Sequence, residues 1–398
     1  MPSDQMQFAS AISQDQDIQS AVDAVLNETR QQLKGSCDAA FLFVSSLYRV
    51  DWVPILRQIR KQLQNPLVIG CSGGGILGGN LELEFLPAIS LVAAHLPRVE
   101  RHPFRISLED LEEPRDPGFW IEKLGATPGQ EPMGVLLPDP FTCDSMRLVQ
   151  GLNTAYPAMP LVGGLASGGE EPGQNSLFFN EQVFQDGAVG VVFTGDILLQ
   201  TIVSQGCRPI GRPYIVTKAQ GNVILELAGV QATEALQKLF AGLSDADKTL
   251  ARRALFLGVV MNEQQDSFAR GDFLIRNLIG IDTSTGALAV GDQIEVGQTV
   301  QFQVRDANTS REDLQHLLAQ QPEPLKNSPS AGALLFSCLG RGKDLYGQPH
   351  EDIRTIQAAI GNRPIAGFFC NGEIGPVGGK NFIHGFTSSL GLFRPRSG

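Results

Sequence analysis

Pro364-Ile-Ala-Gly-Phe-Phe-Cys-Asn-Gly-Glu-Ile-Gly375 is an apolar run that ends in a polar, glycine-rich turn. Similar stretches occur twice earlier, as Pro66-Leu-Val-Ile-Gly-Cys-Ser-Gly-Gly-Gly75 and Pro160-Leu-Val-Gly-Gly-Leu-Ala-Ser-Gly-Gly-Glu170. Each of them follows a strand-like apolar run and an amphipathic helical pattern. Such a recurrence indicates one supersecondary unit that is used repeatedly. The sequence therefore predicts three β-α-β-loop-β units.

The three units have similar lengths. The Ser or Asn of each loop lies 29, 30 and 35 positions after Phe43, Leu137 and Phe336, respectively. The apolar runs that open the units are nearly continuous, which is typical of strands that are buried on both faces. We therefore predict a mixed α/β fold of large mixed sheets covered by helices, in two related domains.

The predicted domain boundary is Gly206-Cys-Arg-Pro-Ile-Gly-Arg-Pro213, which is rich in turn-forming residues. Residues 1–34 are predicted to hold an N-terminal helix, because apolar side chains recur at helical spacing between Asp15 and Leu33. The first domain is then 35–205 and the second is 206–393. Within the second, the region from Tyr214 to Arg305 predicts antiparallel strands.

Composition and charge exclude several classes of protein. A formal net charge of -11 argues against a nucleic-acid partner and against an anionic membrane surface, since both require a basic footprint. We find no signal peptide and no apolar stretch of the ~20 residues that a membrane-spanning helix needs. Six well-separated cysteines without a C-x-x-C pair indicate a reducing compartment. We therefore expect a cytoplasmic protein without a metal site.

Gly73-Gly-Gly-Ile-Leu-Gly78 formally matches the G-x-G-x-x-G fingerprint of dinucleotide-binding proteins. That fingerprint requires a helix directly afterwards, so that the helix N-terminus meets the pyrophosphate. Here the following residues, up to Pro87, alternate like a strand. A structural role for these glycines is therefore favoured, a Walker A match is absent, and we predict no cofactor.

The position of the loops predicts a binding site. The two strands of a β-α-β unit end at the same edge of a sheet, and ligands of open α/β sheets bind at the carboxyl ends of the strands. The third unit places polar and charged residues there, and an arginine, an acid and an amide together suit a zwitterionic small molecule. The predicted ligand-binding residues of this unit are Cys338, Arg341, Asn371, Gly372, Glu373 and His384.

The loops of the first two units contribute fewer polar groups. Ser72, Gly73 and Ser167 are the predicted ligand-binding residues in these loops, although serine before glycine is also a common turn residue.

Alternatives remain open for the third unit. Arg341 and Glu373 could form a salt bridge that joins two loops. Cys338 could be a small buried apolar residue, or a nucleophile with His384 or His350 as its base.

Several of these stretches resemble the FIST family. Gly70-Cys-Ser-Gly-Gly-Gly-Ile76 is similar to the glycine loop of the FIST N-terminal domain. The stretches similar to the FIST C-domain are Gly211-Arg-Pro-Tyr-Ile-Val-Thr217, Ser337-Cys-Leu-Gly-Arg-Gly342, Pro364–Pro376 and His384-Gly-Phe-Thr-Ser-Ser-Leu390. The resemblance extends from about Gly35 to Phe393.

The resemblance implies an intracellular sensory module that binds small ligands such as amino acids. Other members are joined to signalling output domains, and this chain leaves no room for one. We therefore expect a non-catalytic sensor of a small polar ligand that signals through a partner protein. The alternatives are a cysteine-dependent hydrolase or acyl-transferase that uses Cys338 and His384, and a protein-interaction scaffold.

Overall fold

The computed structural model describes residues 5–269, 271–321 and 332–396. These residues form two compact units. The large unit comprises the described residues of Met1–Ser204 and Leu314–Gly398, and the small unit is Gln205–Asp313. Both combine helices with mixed or antiparallel sheets, so the predicted mixed α/β class is confirmed. The domain limits of 35–205 and 206–393 stay a prediction.

The large unit contains three repeats, and the first two occupy its N-terminal part. The first repeat holds β1 (Gln7–Ser13), α1 (Ile18–Gln32), β2 (Ala39–Ser45), α2 (Trp52–Gln62), β3 (Leu67–Gly73), β4 (Gly75–Gly78), β5 (Leu81–Glu84) and β6 (Ile89–His95). The second holds β7 (Val99–Ile106), a 3₁₀ turn (Glu109–Leu111), α3 (Pro117–Leu124), a 3₁₀ turn (Pro128–Gln130), β8 (Met133–Pro138), α4 (Ser145–Ala155), β9 (Leu161–Gly164), β10 (Leu177–Phe179), β11 (Gln182–Phe184) and β12 (Ala188–Gly195).

The third repeat begins with β13 (Leu198–Ser204) and is interrupted by the small unit. The small unit holds β14 (Cys207–Pro209), β15 (Tyr214–Gln220), β16 (Val223–Leu227), β17 (Val230–Gln231), α5 (Ala232–Gly242), α6 (Asp245–Arg253), β18 (Leu255–Val260), β19 (Phe273–Asp282), β20 (Ala287–Val290) and β21 (Thr299–Arg305). Helix α7 (Ala307–Ala319) begins in the small unit and ends in the large one. The repeat then continues with β22 (Gly332–Cys338), α8 (Gly342–Tyr346), α9 (Glu351–Ile360), β23 (Ile365–Cys370), β24 (Glu373–Val377), β25 (Lys380–His384) and β26 (Ser388–Arg394).

Each repeat forms the centre of one six-stranded sheet. Sheet 1 has the order β1-β6-β2-β3-β10-β11, sheet 2 has β25-β24-β9-β8-β12-β7, and sheet 3 has β13-β26-β22-β23-β4-β5. In every sheet the central pair is parallel and joined through a helix, as the sequence predicted. The three predicted β-α-β units are therefore confirmed.

The hairpin that follows each parallel pair leaves its own repeat. Strand β4 pairs with β23 of sheet 3, β24 pairs with β9 of sheet 2, and β10 pairs with β3 of sheet 1. The exchange is cyclic, because each repeat gives one hairpin and receives one. It also covers the second strand of each parallel pair, which would otherwise expose unpaired backbone groups at the edge of its sheet.

The three sheets share one core. In β2, the side chains of Phe41 and Phe43 belong to this shared core, whereas Leu42 packs into a separate cluster with α1 and α2. Phe41 of sheet 1, Phe193 of sheet 2 and Phe393 of sheet 3 meet with ring centroids 6.1–6.4 Å apart. Burial on both faces explains why the opening strands are apolar at every position.

Three glycines occupy equivalent places in the parallel pairs. They are Gly70 in β3, Gly163 in β9 and Gly367 in β23. A Cβ atom added to them would lie 1.9, 1.9 and 1.8 Å from the carbonyl oxygens of Leu42, Leu136 and Leu335, respectively, which are their register partners. The repeats therefore share a close approach of two backbones that only glycine allows.

Some strands differ from the sequence-based expectation. The helix predicted between residues 15 and 33 is confirmed as α1, but β1 precedes it and was not predicted. Strand β7, which lies at the edge of sheet 2, was not predicted either. The glycine stretch after Gly70 is not an open loop, because β3 continues to Gly73 and β4 starts at Gly75.

The small unit is a closed antiparallel ring of strands. Its ladder runs β21-β15-β16-β20-β19-β18, and β18 pairs with β21 to close it. The antiparallel strands predicted between Tyr214 and Arg305 are confirmed, and β15 and β16 form a hairpin around Gly221. Leu257, Leu288 and Phe302 are among the fully buried residues of its separate core.

Replacement of Gly163 by alanine tests the close approach of β8 and β9. The added Cβ must separate two paired backbones, and we expect the free energy of unfolding to fall by about 2–4 kcal/mol. The control is Gly129→Ala, since a Cβ at Gly129 meets nothing within 4 Å. Equal urea midpoints for the two variants would contradict the proposed steric role.

Candidate functional site

The carboxyl ends of the three parallel pairs meet through one serine. Ser167 follows β9 and is fully buried. Its hydroxyl donates a hydrogen bond to the carbonyl oxygen of Phe369 in β23 and accepts one, at 2.9 Å, from the backbone N–H of Gly74. Residues of all three repeats are thereby joined at one hydroxyl group.

Ser72 and the third-unit loop lie next to this junction. The Ser72 hydroxyl accepts a hydrogen bond from the N–H of Ser176 at 3.0 Å and lies 3.5 Å from the carbonyl oxygen of Ser167. The Asn371 N–H donates to the Leu165 carbonyl, and the Leu165 N–H donates to the Gly372 carbonyl. The structure therefore brings together Ser72, Ser167 and the backbone of Asn371 and Gly372.

Glycines allow these segments of the chain to approach one another closely. A Cβ atom on Gly73 would lie 2.9 Å from Phe368, and one on Gly74 would lie 2.8 Å from Leu339. Gly73 was predicted to bind a ligand, and in the structure it is buried against sheet 3. Its steric role agrees with the structural interpretation of the glycine stretch.

Arg341 is fully buried and its guanidinium is occupied within the protein. The Nε and Nη2 atoms donate to the two carboxylate oxygens of Asp352 at 2.6 and 2.9 Å, and Nη2 also donates to the Tyr346 hydroxyl. The salt bridge considered from sequence was therefore wrong in its partner, because Asp352 takes the place assigned to Glu373. The guanidinium of Arg341, which was expected to bind a ligand, already donates two hydrogen bonds to the carboxylate of Asp352.

Glu373 is fully buried beside two thiols. Its carboxylate accepts hydrogen bonds from the Thr387 N–H at 2.9 Å and from the Cys370 thiol at 3.4 Å, and the Cys338 thiol also contacts it. Burial raises the pKa of Glu373 to about 8, because desolvation outweighs these hydrogen bonds.

His384 lies on the strand that pairs with Glu373. The two residues are register partners in β24 and β25. His384 is buried, and its Nε2 atom lies 3.0 Å from the Gly375 carbonyl oxygen. Catalysis by Cys338 and His384 stays a prediction.

An open cleft lies beside the junction, at the carboxyl end of β2. Its volume is about 340 Å³. Four serines, at positions 45, 46, 72 and 176, contribute to its lining, and we therefore call it the serine cleft. Ser72, which was predicted from sequence to bind a ligand, lines the serine cleft.

Residues of the turn between β2 and α2 also line the serine cleft. Arg49 is exposed and forms no ion pair with another residue in the described part of the chain. Tyr48 and Trp52 are buried and pack edge to face, and burial raises the pKa of Tyr48 to about 12, so its hydroxyl stays neutral. Asp51 ends the turn, because its side chain accepts a hydrogen bond from the Val53 N–H and caps α2.

Ser45, Ser46 and Arg49 were not predicted from sequence. In the third unit, residues at the end of both strands of the pair were predicted, whereas in the first unit only residues after the second strand were. Ser45 ends β2, the first strand of that pair, and Ser46 and Arg49 follow it. The same rule about carboxyl ends could have found them, since both strands end at that edge.

The residues described by the structure give two further findings. They contain no helix that is both long and apolar enough to cross a membrane. They also contain no group of three or more His, Cys, Asp or Glu side chains that could hold a metal ion.

The fold thus combines three repeated α/β sheets, joined at a glycine-lined junction, with a smaller antiparallel unit. Models of the FIST N domain and the FIST C domain match residues 38–230 and 232–376. The chain belongs to the FIST family, as its motifs indicated.

Relatives cover nearly the whole chain. The uncharacterised protein Rv0628c of Mycobacterium tuberculosis is 38% identical over 389 residues, which are 98% of this chain and 100% of that protein. The uncharacterised protein Mb0898c of Mycobacterium bovis is 36% identical over 376 residues, or 94% and 95% of the two chains.

A solved structure of cyanuric acid hydrolase from A. caulinodans aligns with 98% of this chain and 100% of its own. Its sequence identity is 8% and its TM-score is 0.33, and a likeness at this level supports no inference about activity.

Replacement of Ser167 by alanine should weaken the junction of the three repeats. The partly buried Gly74 N–H would lose its acceptor and the buried Phe369 carbonyl would lose its donor, and we expect a loss of about 1–3 kcal/mol in the free energy of unfolding. Ser267→Ala is the control, since Ser267 is exposed. Unfolding in urea measures both, and equal stability of the variants would show that the junction does not depend on this hydroxyl.

The raised pKa of Glu373 predicts a pH dependence of stability. The folded protein retains the proton up to about pH 8, whereas the unfolded chain releases it near the usual value of 4.5. The stabilisation is thus complete below pH 4.5 and is lost as the pH rises towards 8, by up to about 1.4 kcal/mol per pH unit.

Glu373→Gln should therefore flatten the decline in the free energy of unfolding between pH 5 and pH 8. Part of the decline should remain in Glu373→Gln, because burial also raises the pKa of Glu82 to about 8 and Glu82 therefore titrates over the same pH range. The control is Glu122→Gln, which replaces an exposed carboxylate. An unchanged slope in Glu373→Gln would mean that the carboxyl is already ionised near pH 5.

Proposed function

We propose that the protein is a sensor that binds a small polar molecule with an anionic group in the serine cleft. The observation that carries this proposal is one open cavity lined by several serine residues and by Arg49, which forms no ion pair among the residues that the structure describes. A volume of about 340 Å³ is at the small end of the range typical of ligand pockets.

The chemistry of the lining suits a carboxylate with a further polar group. Serine hydroxyls both donate and accept hydrogen bonds, so Ser45, Ser46 and Ser176 can satisfy hydroxyl, amine or amide groups of a ligand. Arg49 can donate two parallel hydrogen bonds to a carboxylate or a phosphate. An amino acid fulfils these requirements, and it agrees with the ligand class that the family resemblance implies.

The walls of the serine cleft are suited to hold a ligand in one orientation. Trp52 packs against Tyr48 and against Phe178, with ring centroids 6.5 and 5.3 Å apart. Side chains fixed in this way lose little entropy when a ligand binds. The rigid aromatic side of the cleft therefore complements the polar side formed by the serines.

Binding can be transmitted through the turn that carries Arg49. Leu47 and Val50 lie on either side of Arg49, and both are exposed apolar residues. A ligand that binds Arg49 favours one conformation of this turn over others, in proportion to its affinity for that conformation. We propose that a signalling protein recognises the turn in its ligand-bound conformation.

A thermal-shift screen of the purified chain tests the proposal. The panel contains amino acids, other small carboxylates, phosphorylated metabolites and, for each hit, the matching amide that lacks the negative charge. A ligand at 100 times its Kd adds about 2.7 kcal/mol to the stability of the folded state. We expect hits among the carboxylates and none among the matching amides.

Arg49→Ala and Ser72→Ala locate the binding site. Both variants should lose the shift, whereas Arg252→Ala, which replaces an exposed arginine of α6 in the small unit, should retain it. Hits that persist unchanged in Arg49→Ala and Ser72→Ala would place the ligand elsewhere and overturn the proposal, as would a panel without hits.

A further inference from the structure

Two cysteines lie side by side at the end of the parallel pair of sheet 3. Cys338 is the last residue of β22, Cys370 is the last residue of β23, and the two are register partners. Neighbouring strands are about 4.8 Å apart. This separation lies within the range of about 4.4–6.8 Å that the Cα atoms of a disulfide span.

The two thiols also share one acceptor. The Cys370 thiol donates to Oε1 of Glu373 at 3.4 Å, and the Cys338 thiol contacts the same carboxylate. Register partners on neighbouring strands direct their side chains to the same face of a sheet. Both sulfur atoms are therefore on the side of sheet 3 that faces Glu373.

Access and charge distinguish Cys338 from the other cysteines. Of the six cysteines, five are buried and Cys338 is partly exposed. The buried guanidinium of Arg341 is close enough to interact electrostatically with Cys338. The thiolate is the reactive form of cysteine, and a thiol with access to solvent forms it more readily than a buried one. Accessible thiols with a second cysteine beside them are typical of reversible oxidation sites.

We propose that Cys338 and Cys370 form a redox-active pair that is oxidised by peroxides to an intramolecular disulfide. The pair is not part of the lining of the serine cleft, so this modification site is separate from the proposed ligand site.

Oxidation proceeds in two balanced steps. The Cys338 thiolate attacks one oxygen of hydrogen peroxide, an S–O bond forms and the O–O bond breaks, which leaves a sulfenic acid and a hydroxide that is protonated to water. The Cys370 sulfur then attacks the Cys338 sulfur, an S–S bond forms and the S–O bond breaks. The carboxyl group of Glu373, which is protonated below about pH 8, gives its proton to the leaving hydroxide and takes up the proton of Cys370. The thiols lose two electrons and the peroxide gains them.

The bridge should be easy to reduce. A strand separation of about 4.8 Å exceeds the Cβ distance of about 3.5–4.5 Å that disulfides prefer, and strained disulfides are reduced more readily. A small dithiol such as dithiothreitol restores the two thiols by exchange, and it becomes a disulfide itself.

Mass spectrometry of the full chain treated with a small excess of hydrogen peroxide tests the proposal. The wild type should lose the mass of two hydrogen atoms, a peptide that links Cys338 to Cys370 should appear, and dithiothreitol should reverse both changes. Cys143→Ser, a variant of a buried cysteine in the second repeat, should behave like the wild type. Cys338→Ser should form no bridge, and Cys370→Ser should stop at a sulfenic acid that dimedone traps.

The wild-type result is independent of whether the variants fold. A Cys338 that proceeds to sulfinic acid without a bridge, or a bridge to another cysteine, would overturn the proposal. Phenylarsine oxide, which binds pairs of neighbouring thiols, gives a second measurement without any oxidation. It should bind the wild type with one equivalent, and absence of binding to the untreated wild type would also count against the pair.

Discussion

The packing of three sheets around a single core is the constraint on which the large unit depends. Helices cover the outer face of each parallel pair, but the inner face is buried only by the other two sheets. Phe41, Phe193 and Phe393, one from each sheet, meet at this core. Aromatic side chains each bury about 150–250 Å², so removal of one sheet would expose the apolar faces of the other two. Each sheet therefore depends on the other two for burial of its inner face.

The exchanged hairpins follow from the same constraint. In each repeat the chain leaves the sheet at the carboxyl end of the second parallel strand and crosses to a neighbouring sheet. Three crossings therefore meet in a small space. Backbone groups at such crossings cannot all pair with one another, and buried unpaired groups are costly. Ser167 resolves part of this problem, because one hydroxyl pairs with Gly74 and Phe369 at once. The polar junction thus follows from the fold, and it lies beside the serine cleft.

The sequence predicts the parts of this structure that are local. Continuous apolar runs predict the parallel pairs, because such strands are buried on both faces. Strands β1 and β7 were missed, since an edge strand such as Val99–Ile106 alternates charged and apolar residues and includes a proline. The exchange of hairpins and the pairing of Arg341 with Asp352 depend on contacts between distant segments, which no local pattern contains. Several residues of the serine cleft were missed, because the turn at Ser45–Arg49 has no glycine motif and its place at the cleft depends on contacts with Ser72 and Ser176, which are distant in sequence.

The three junctions share one backbone and differ in chemistry. In the first repeat, Ser45, Ser72 and Arg49 border an open cavity, which is the condition for binding a molecule from solution. In the second, Asp139 is buried and accepts hydrogen bonds from Thr142 and Asn175, so its capacity is used within the protein. In the third, two thiols, a carboxyl group and a paired arginine are packed together, and Arg341 and Glu373 are fully buried. A repeated scaffold can thus carry different chemistry at equivalent strand ends. The backbone is the same at each end, and the side chains and their exposure to solvent differ.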